Sequence, residues 1–269
     1  MLIALCSAKG APGVTTSGLA LALCWPRRVV LAELDPAGGD VLAGYGRARL
    51  SAGGLAELQL AARRAELAQR LSAHLLGLDS SGRVRLLPGL VDPAGARHVD
   101  WGRLARALAS VEDGAVDVLA DCGRLRAEHF PLDVVQRAAA VVVVAGSTLR
   151  SVRAATHAVA ELREELTGRR GSAGTLAALV VGPGQPYSER EIGEALGVPV
   201  LGSLPRDAKA ASVLSDGTPA GRSFGQSALL RAARATAARV GEFAAASEDR
   251  LGSPPGDTRS PMTPVGGGA

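Results

Sequence analysis

Residues 138–146 read AAAVVVVAG, apolar at every position and β-branched through the centre. A run of this length is too short to cross a membrane. As a strand it has no face that tolerates water, so both faces must be covered, which is the situation of a parallel sheet between two helix layers. Comparable runs recur at 2–6 (LIALC), 28–34 (RVVLAEL), 84–87 (VRLL), 116–121 (VDVLAD), 176–181 (LAALVV) and 198–203 (VPVLGS). Longer helical patterns separate them, at 15–24, 54–76 (a pattern with a break), 101–110, 148–166, 188–196 and 224–246. The alternation predicts an α/β fold in three layers: a mostly parallel, twisted sheet of about seven strands with helices on both faces. Such sheets bind ligands beyond the carboxyl ends of their strands. The polar loops after residues 6, 34 and 121 therefore become the candidate site.

The chain has 269 residues, 47% of them hydrophobic, enough to bury a sizeable core. Residues 1–246 read as the folded domain. Residues 247–269 (SEDRLGSPPGDTRSPMTPVGGGA) are rich in Pro, Gly and Ser, keep no apolar period, and read as a disordered tail. A net charge of +4 permits DNA or an anionic membrane surface as a partner without requiring either. The three cysteines lack metal-ligand spacing and read as buried thiols of a reducing compartment. With no signal-peptide start and no apolar run of membrane-spanning length, the expected location is the cytoplasm, with peripheral attachment to membrane or nucleoid left open.

Residues 7–23, SAKGAPGVTTSGLALAL, form a Gly-rich turn between the first strand and the first helix. A loop that cradles phosphate needs inward-pointing backbone N–H groups, hence glycines, and a following helix whose N-terminus faces the anion. A hydroxyl at the helix start can ligate Mg²⁺. Gly10, Gly13, Thr15 and Thr16 answer those needs. The usual G-x-x-x-x-G-K-[ST] pattern is nevertheless broken twice, by Ala8 at the first glycine and by Val14 at the lysine.

Taken with its surroundings, the loop resembles that of the ParA/MinD family of P-loop ATPases, whose deviant loop reads roughly K-G-G-x-G-K-T-T against K-G-A-P-G-V-T-T here. VVLAELDPAGGDV (29–41) looks like the family's second strand and first switch, DVLADCG (117–123) like its Walker B strand and second switch, and GVPVLGSLPRD (197–207) like its Pro-x-Asp loop beside the base. The CpaE/TadZ-like branch, found beside pilus and secretion genes, is the nearest in character. The resemblance implies a P-loop NTPase-type fold, ATP and Mg²⁺ as cofactors, and a nucleotide-linked homodimer with a further, unidentified protein partner. It implies a nucleotide contact surface of Lys9, Gly10, Ala11, Pro12, Gly13, Val14, Thr15, Thr16, Pro205 and Asp207. It places Thr15, Asp35 and Asp121 on the metal side, has Asp40 orient the attacking water, and has Lys9 reach the phosphates of the partner subunit.

Two departures bear on activity. Val14 removes the lysine that neutralises the β/γ-phosphates, and phosphoryl transfer depends on positioning and charge neutralisation. By analogy with the loss of one oxyanion-hole donor, this costs roughly 3–4 kcal/mol, or about 10²–10³ in rate. Strand 176–181 runs into VVGPGQ, where many relatives place an Asn for adenine. The expected function is a nucleotide-dependent positioning or regulatory factor, in chromosome partitioning, septum placement or a pilus or secretion machinery, with weak or absent hydrolysis. The alternatives are an active DNA-partitioning ATPase that uses Lys9, and a nucleotide-free scaffold. Asp40 also reads as an ordinary loop acid, and Asp207 as a residue that shapes the Pro205 turn. The helix at 224–246 carries Leu229, Leu230, Ala233, Ala237 and Val240 on one face; packing on the sheet is favoured over lying on lipid, because that face is Ala-rich and lacks Trp or a Phe/Leu cluster.

Lys9 stands out on composition. Lys9 and Lys209 are the only lysines among 30 basic residues. A lysine in mid-loop therefore points to a need for a compact ammonium rather than for generic charge.

Overall fold

A computed structural model describes residues 1–9, 13–46, 54–62, 67–111, 115–170, 175–184 and 186–252. In chain order the elements are β1 (Leu2–Ser7), α1 (Val14–Leu23), β2 (Val29–Glu33), α2 (Leu55–Ala62), α3 (Leu67–Leu71), β3 (Leu76–Gly77), β4 (Val84–Leu87), α4 (Trp101–Ala109), β5 (Asp117–Arg124), α5 (Leu132–Arg137), β6 (Ala140–Gly146), α6 (Leu149–Arg170), β7 (Leu176–Val181), α7 (Glu189–Leu196), β8 (Val200–Leu204), α8 (Ala208–Ser215) and α9 (Ala228–Gly252).

One sheet runs in the order β3-β4-β2-β5-β1-β6-β7-β8. All pairings are parallel except that of β3 with β4. The expected alternation holds, with eight strands instead of about seven. The additional strand, β3, is a two-residue antiparallel edge, too short to leave an apolar period in the sequence.

Side chains alternate across each strand, and so divide the core into two layers. Leu2, Ala4 and Cys6 of β1 face a cluster with α4, α5 and α6, whereas Ile3 and Leu5 face a cluster with α1, α8 and α9. All seven residues of β6 are buried, as its composition demands. Truncating a central valine there removes roughly 2 kcal/mol of burial energy.

Three boundaries differ from expectation. The helical pattern at 54–76 divides into α2, α3 and a 3₁₀ turn at Ser72–His74. The short helices α5 and α8 were not among the expected helices, since a helix of six to eight residues offers barely two turns of periodicity. Helix α9 continues to Gly252, six residues past the expected end of the domain at 246, and the rest of the anticipated tail lies outside the described residues. Leu229, Leu230, Ala233, Ala237 and Val240 of α9 are all buried in the second core layer, so that face packs on the sheet. No described helix is long and apolar enough to cross a membrane.

Candidate nucleotide site

The carboxyl ends of β1, β2 and β5 lie side by side, because these strands are consecutive neighbours in the sheet. The loop after β1 returns into α1 through Gly13, whose φ of +82° falls in the left-handed region that side chains rarely adopt. Thr15, at the second position of α1, donates its hydroxyl to Asp121 Oδ2 at 2.5 Å. Asp121 Oδ1 accepts from the Gly123 amide at 3.0 Å. Asp121 lies three residues inside β5 rather than at its end. Burial is the main cause that raises its pKa to about 7; the Thr15 and Gly123 hydrogen bonds pull the other way, and the negative charges of Asp35 and Glu33 add to the rise.

Asp35 covers the same strand end. Its Oδ2 lies 2.1 Å from where a Cβ on Gly123 would stand, and Gly123 has φ of +65°. The Asp35 side chain also accepts from the Ala37 amide at 2.8 Å, closing the turn that begins with Pro36.

A contrast within β5 shows what the Asp121 site lacks. Asp117, buried at the opposite end of the strand, receives Arg27, the Met1 ammonium and the Trp25 indole N–H. Asp121 has no cationic partner among the described residues. A carboxyl raised by burial and by neighbouring acids, next to a helix-start hydroxyl, suits a hard cation. No three His, Cys, Asp or Glu side chains form a metal cage among the described residues. Mg²⁺ needs no such cage, since it keeps waters and binds one or two protein oxygens plus substrate phosphates.

Next to this cluster opens a cavity of about 800 Å³, within the usual range for small-molecule sites. Lys9, Gly13, Thr16, Pro205 and Asp207, all expected at the site, line it. Gly10, Ala11 and Pro12 lie outside the described residues. Val14 does not line the cavity; its side chain is buried with the apolar residues beneath α1. Asp207 caps α8 by accepting from the Ala210 amide at 3.1 Å, and accepts from the Leu229 amide at 3.4 Å. Its two oxygens thus join α8 to α9, the structural role open to it from the sequence.

Asp40 is exposed on the loop after β2. That loop is held by Glu33, a residue not expected at the site. Glu33 is buried at the end of β2, and its carboxylate accepts from the amides of Asp40 (2.7 Å), Val41 (2.8 Å) and Gly89 (3.3 Å). Burial raises the Glu33 pKa despite these three bonds. The one sequence signal for it was a charged residue enclosed in the apolar run VVLAEL. Arg150 and Arg206 also line the cavity and were not anticipated.

No family model matches the sequence, and no curated protein does. Solved structures do match over most of their length. The cell division ATPase MinD of Pyrococcus furiosus superposes with a TM-score of 0.71 at 18% identity, over 90% of this chain and 98% of that one. The fold is that of the ParA and MinD ATPases. The septum site-determining protein MinD of Pyrococcus horikoshii, solved with Mg-ADP, gives 0.70 at 17% identity over 91% and 98%. A ParA family ATPase of Chlorobium tepidum gives 0.68 at 18% over 88% and 98%. At these identities the likeness establishes the ParA/MinD fold and nothing finer.

Proposed function

We propose that the chain is a nucleotide-binding protein of ParA/MinD type, acting as a nucleotide-dependent positioning or regulatory factor with slow or absent hydrolysis. The observation that carries this reading is the Thr15–Asp121 hydrogen bond, one residue from Thr16, which with Lys9, Gly13 and Pro205 lines a cavity of about 800 Å³. A hydroxyl at a helix start, a buried carboxyl behind it and a basic cavity in front are the parts needed to bind a metal-chelated phosphate.

Thr15 and Asp121 would hold Mg²⁺, with Asp35 on the flank, and bound Mg²⁺ neutralises phosphate oxygens. The N-terminal amides of α1 and the Thr16 hydroxyl would receive the phosphates, and Pro205 would border the base. Asp40, held by its backbone with its carboxylate in solvent, would orient water. Val14 faces the core and brings no charge, which is why slow turnover is part of the reading. A nucleotide-linked homodimer, with Lys9 directed at the partner, belongs to the same proposal.

The test is calorimetric titration with ATP and ADP, with and without Mg²⁺, together with phosphate release. Mg²⁺-dependent binding with little release is expected. Absence of binding and of any nucleotide-induced thermal shift would instead identify a scaffold. Rapid, DNA-stimulated release would identify an active partitioning ATPase.

A further inference from the structure

With Val14 buried, phosphate in this cavity must be neutralised from elsewhere. Two basic side chains, Lys9 and Arg150, line both this cavity and a second one of about 1070 Å³. They stand where the two spaces meet.

The backbone that carries Arg150 is well fixed. It is the second residue of α6, which follows β6, and β6 is hydrogen-bonded directly to β1. The turn between them is pinned at two points: Ser151 Oγ accepts from the Gly146 amide at 2.8 Å, and Thr148 Oγ1 accepts from the Ser151 amide at 3.3 Å. Arg150 is exposed and has no ion pair among the described residues, whereas Arg126, in the second cavity, is already paired with Glu161 at 2.9 Å. A guanidinium fork suits phosphate oxygens, and an exposed one pays little desolvation on meeting them.

Arg206, the other arginine of the first cavity, is worse placed. Its loop follows β8, three strands from β1. At about 4.8 Å per strand, that is roughly 14 Å away, against about 5 Å for β6. Its side chain also lies across Gly182, with Nε 2.5 Å from where a Cβ there would stand.

We propose that Arg150 binds the terminal phosphates of a nucleoside polyphosphate in this cavity, supplying from within the same chain the charge that Val14 does not. This rests on the nucleotide reading above and assigns that site a cation the P-loop pattern does not contain.

The experiment titrates fluorescent analogues of ATP, ADP and AMP with Mg²⁺ into the full chain and into Arg150→Ala and Arg150→Lys. Charge-assisted hydrogen bonds of this kind are worth roughly tenfold or more in affinity. Arg150→Ala should therefore weaken ATP by about tenfold or more, ADP by less and AMP by under about twofold, and Arg150→Lys should restore part of the ATP affinity. Thermal unfolding midpoints should match, since the side chain is exposed. Unchanged ATP affinity in Arg150→Ala overturns the proposal and leaves the nucleotide reading standing. Equal loss for ATP and AMP overturns it as well, since Arg150 would then act on something other than the terminal phosphates. A wild-type protein that binds none of the three overturns the nucleotide reading itself, and the proposal with it.

Discussion

The amide of Asp40 donates to Glu33 Oε1 at 2.7 Å, so the loop acid is held by its backbone while its own carboxylate stays in solvent. Glu33 also receives the amides of Val41 and Gly89, and so joins the loop after β2 to the end of β4. Glu33→Ala leaves three donors without their acceptor. Hydrogen bonds to a charged group are individually substantial, and the expected loss is about 3 kcal/mol in urea unfolding. Glu33→Gln keeps one acceptor oxygen and should lose about 1 kcal/mol. Equal stability of the two variants would mean that the loop is held by other contacts.

Asp121 makes stability pH-dependent in an unusual direction. Its ordinary pKa of 3.8 applies in the unfolded chain, and burial raises it to about 7 in the folded one. Between those values the folded state binds the extra proton, so stability falls as pH rises from about 4 to about 7 and levels off above. Asp121→Asn should remove this slope. Glu33, also raised by burial, contributes a slope of the same sign that remains in the variant. Unfolding midpoints at several pH values, without nucleotide or Mg²⁺, provide the measurement. Parallel curves for wild type and variant would show that Asp121 is ionised throughout.

The two carboxylates should separate by role. Asp121→Ala removes the partner of Thr15 at the strand, and Mg²⁺-dependent nucleotide binding should drop by about tenfold or more. Asp40→Ala removes only a solvent-exposed carboxylate and keeps the amide bond to Glu33, so binding should stay within about twofold while turnover falls. Equal loss of binding in both variants would contradict the assignment.

Most of the fold was legible because its strands are buried on both faces, and VVLAEL or AAAVVVVAG can only be central strands. What escaped was short or non-periodic: the two-residue β3, and the helices α5 and α8. At the candidate site, Lys9, Gly13, Thr16, Pro205 and Asp207, which line one cavity, were named from the sequence, and their roles there belong to the proposal. Glu33 and Arg150 were not named, for different reasons. Glu33 occupies a strand position whose alternation gives no hint that three loop amides converge on it. Arg150 reaches the cavity only because β6 neighbours β1, and adjacency in a sheet is not written in local sequence.

Val14→Lys tests the missing charge directly, and the structure adds a cost. Val14 is buried and belongs to the second core layer. A lysine there would have to turn its ammonium out of that layer to reach the cavity that Gly13 lines. Replacing the buried valine should cost roughly 1–3 kcal/mol, read as a lower unfolding midpoint. ATP affinity should nevertheless rise, in the same titration that shows the wild-type value. A lower midpoint with unchanged affinity would show that the ammonium stays outside the phosphate region.

Lys9 and Arg150 should differ in how their effects depend on protein concentration. Arg150 acts within its own chain, so Arg150→Ala should weaken ATP binding by the same factor in dilute and concentrated protein. In the dimer proposed above, Lys9 would reach the nucleotide of a second copy, and its contribution should then grow with pairing. Wild-type affinity should then rise with protein concentration, because a pair supplies two cations per triphosphate and a monomer one. Lys9→Ala should bind ATP as the dilute wild type does at every concentration, and should not dimerise on adding a non-hydrolysable ATP analogue. Sedimentation velocity at several concentrations, run beside the titrations, measures both quantities. A wild type that binds ATP equally well at all concentrations and stays monomeric, yet loses affinity in Lys9→Ala, would place Lys9 on the nucleotide of its own chain, beside Arg150.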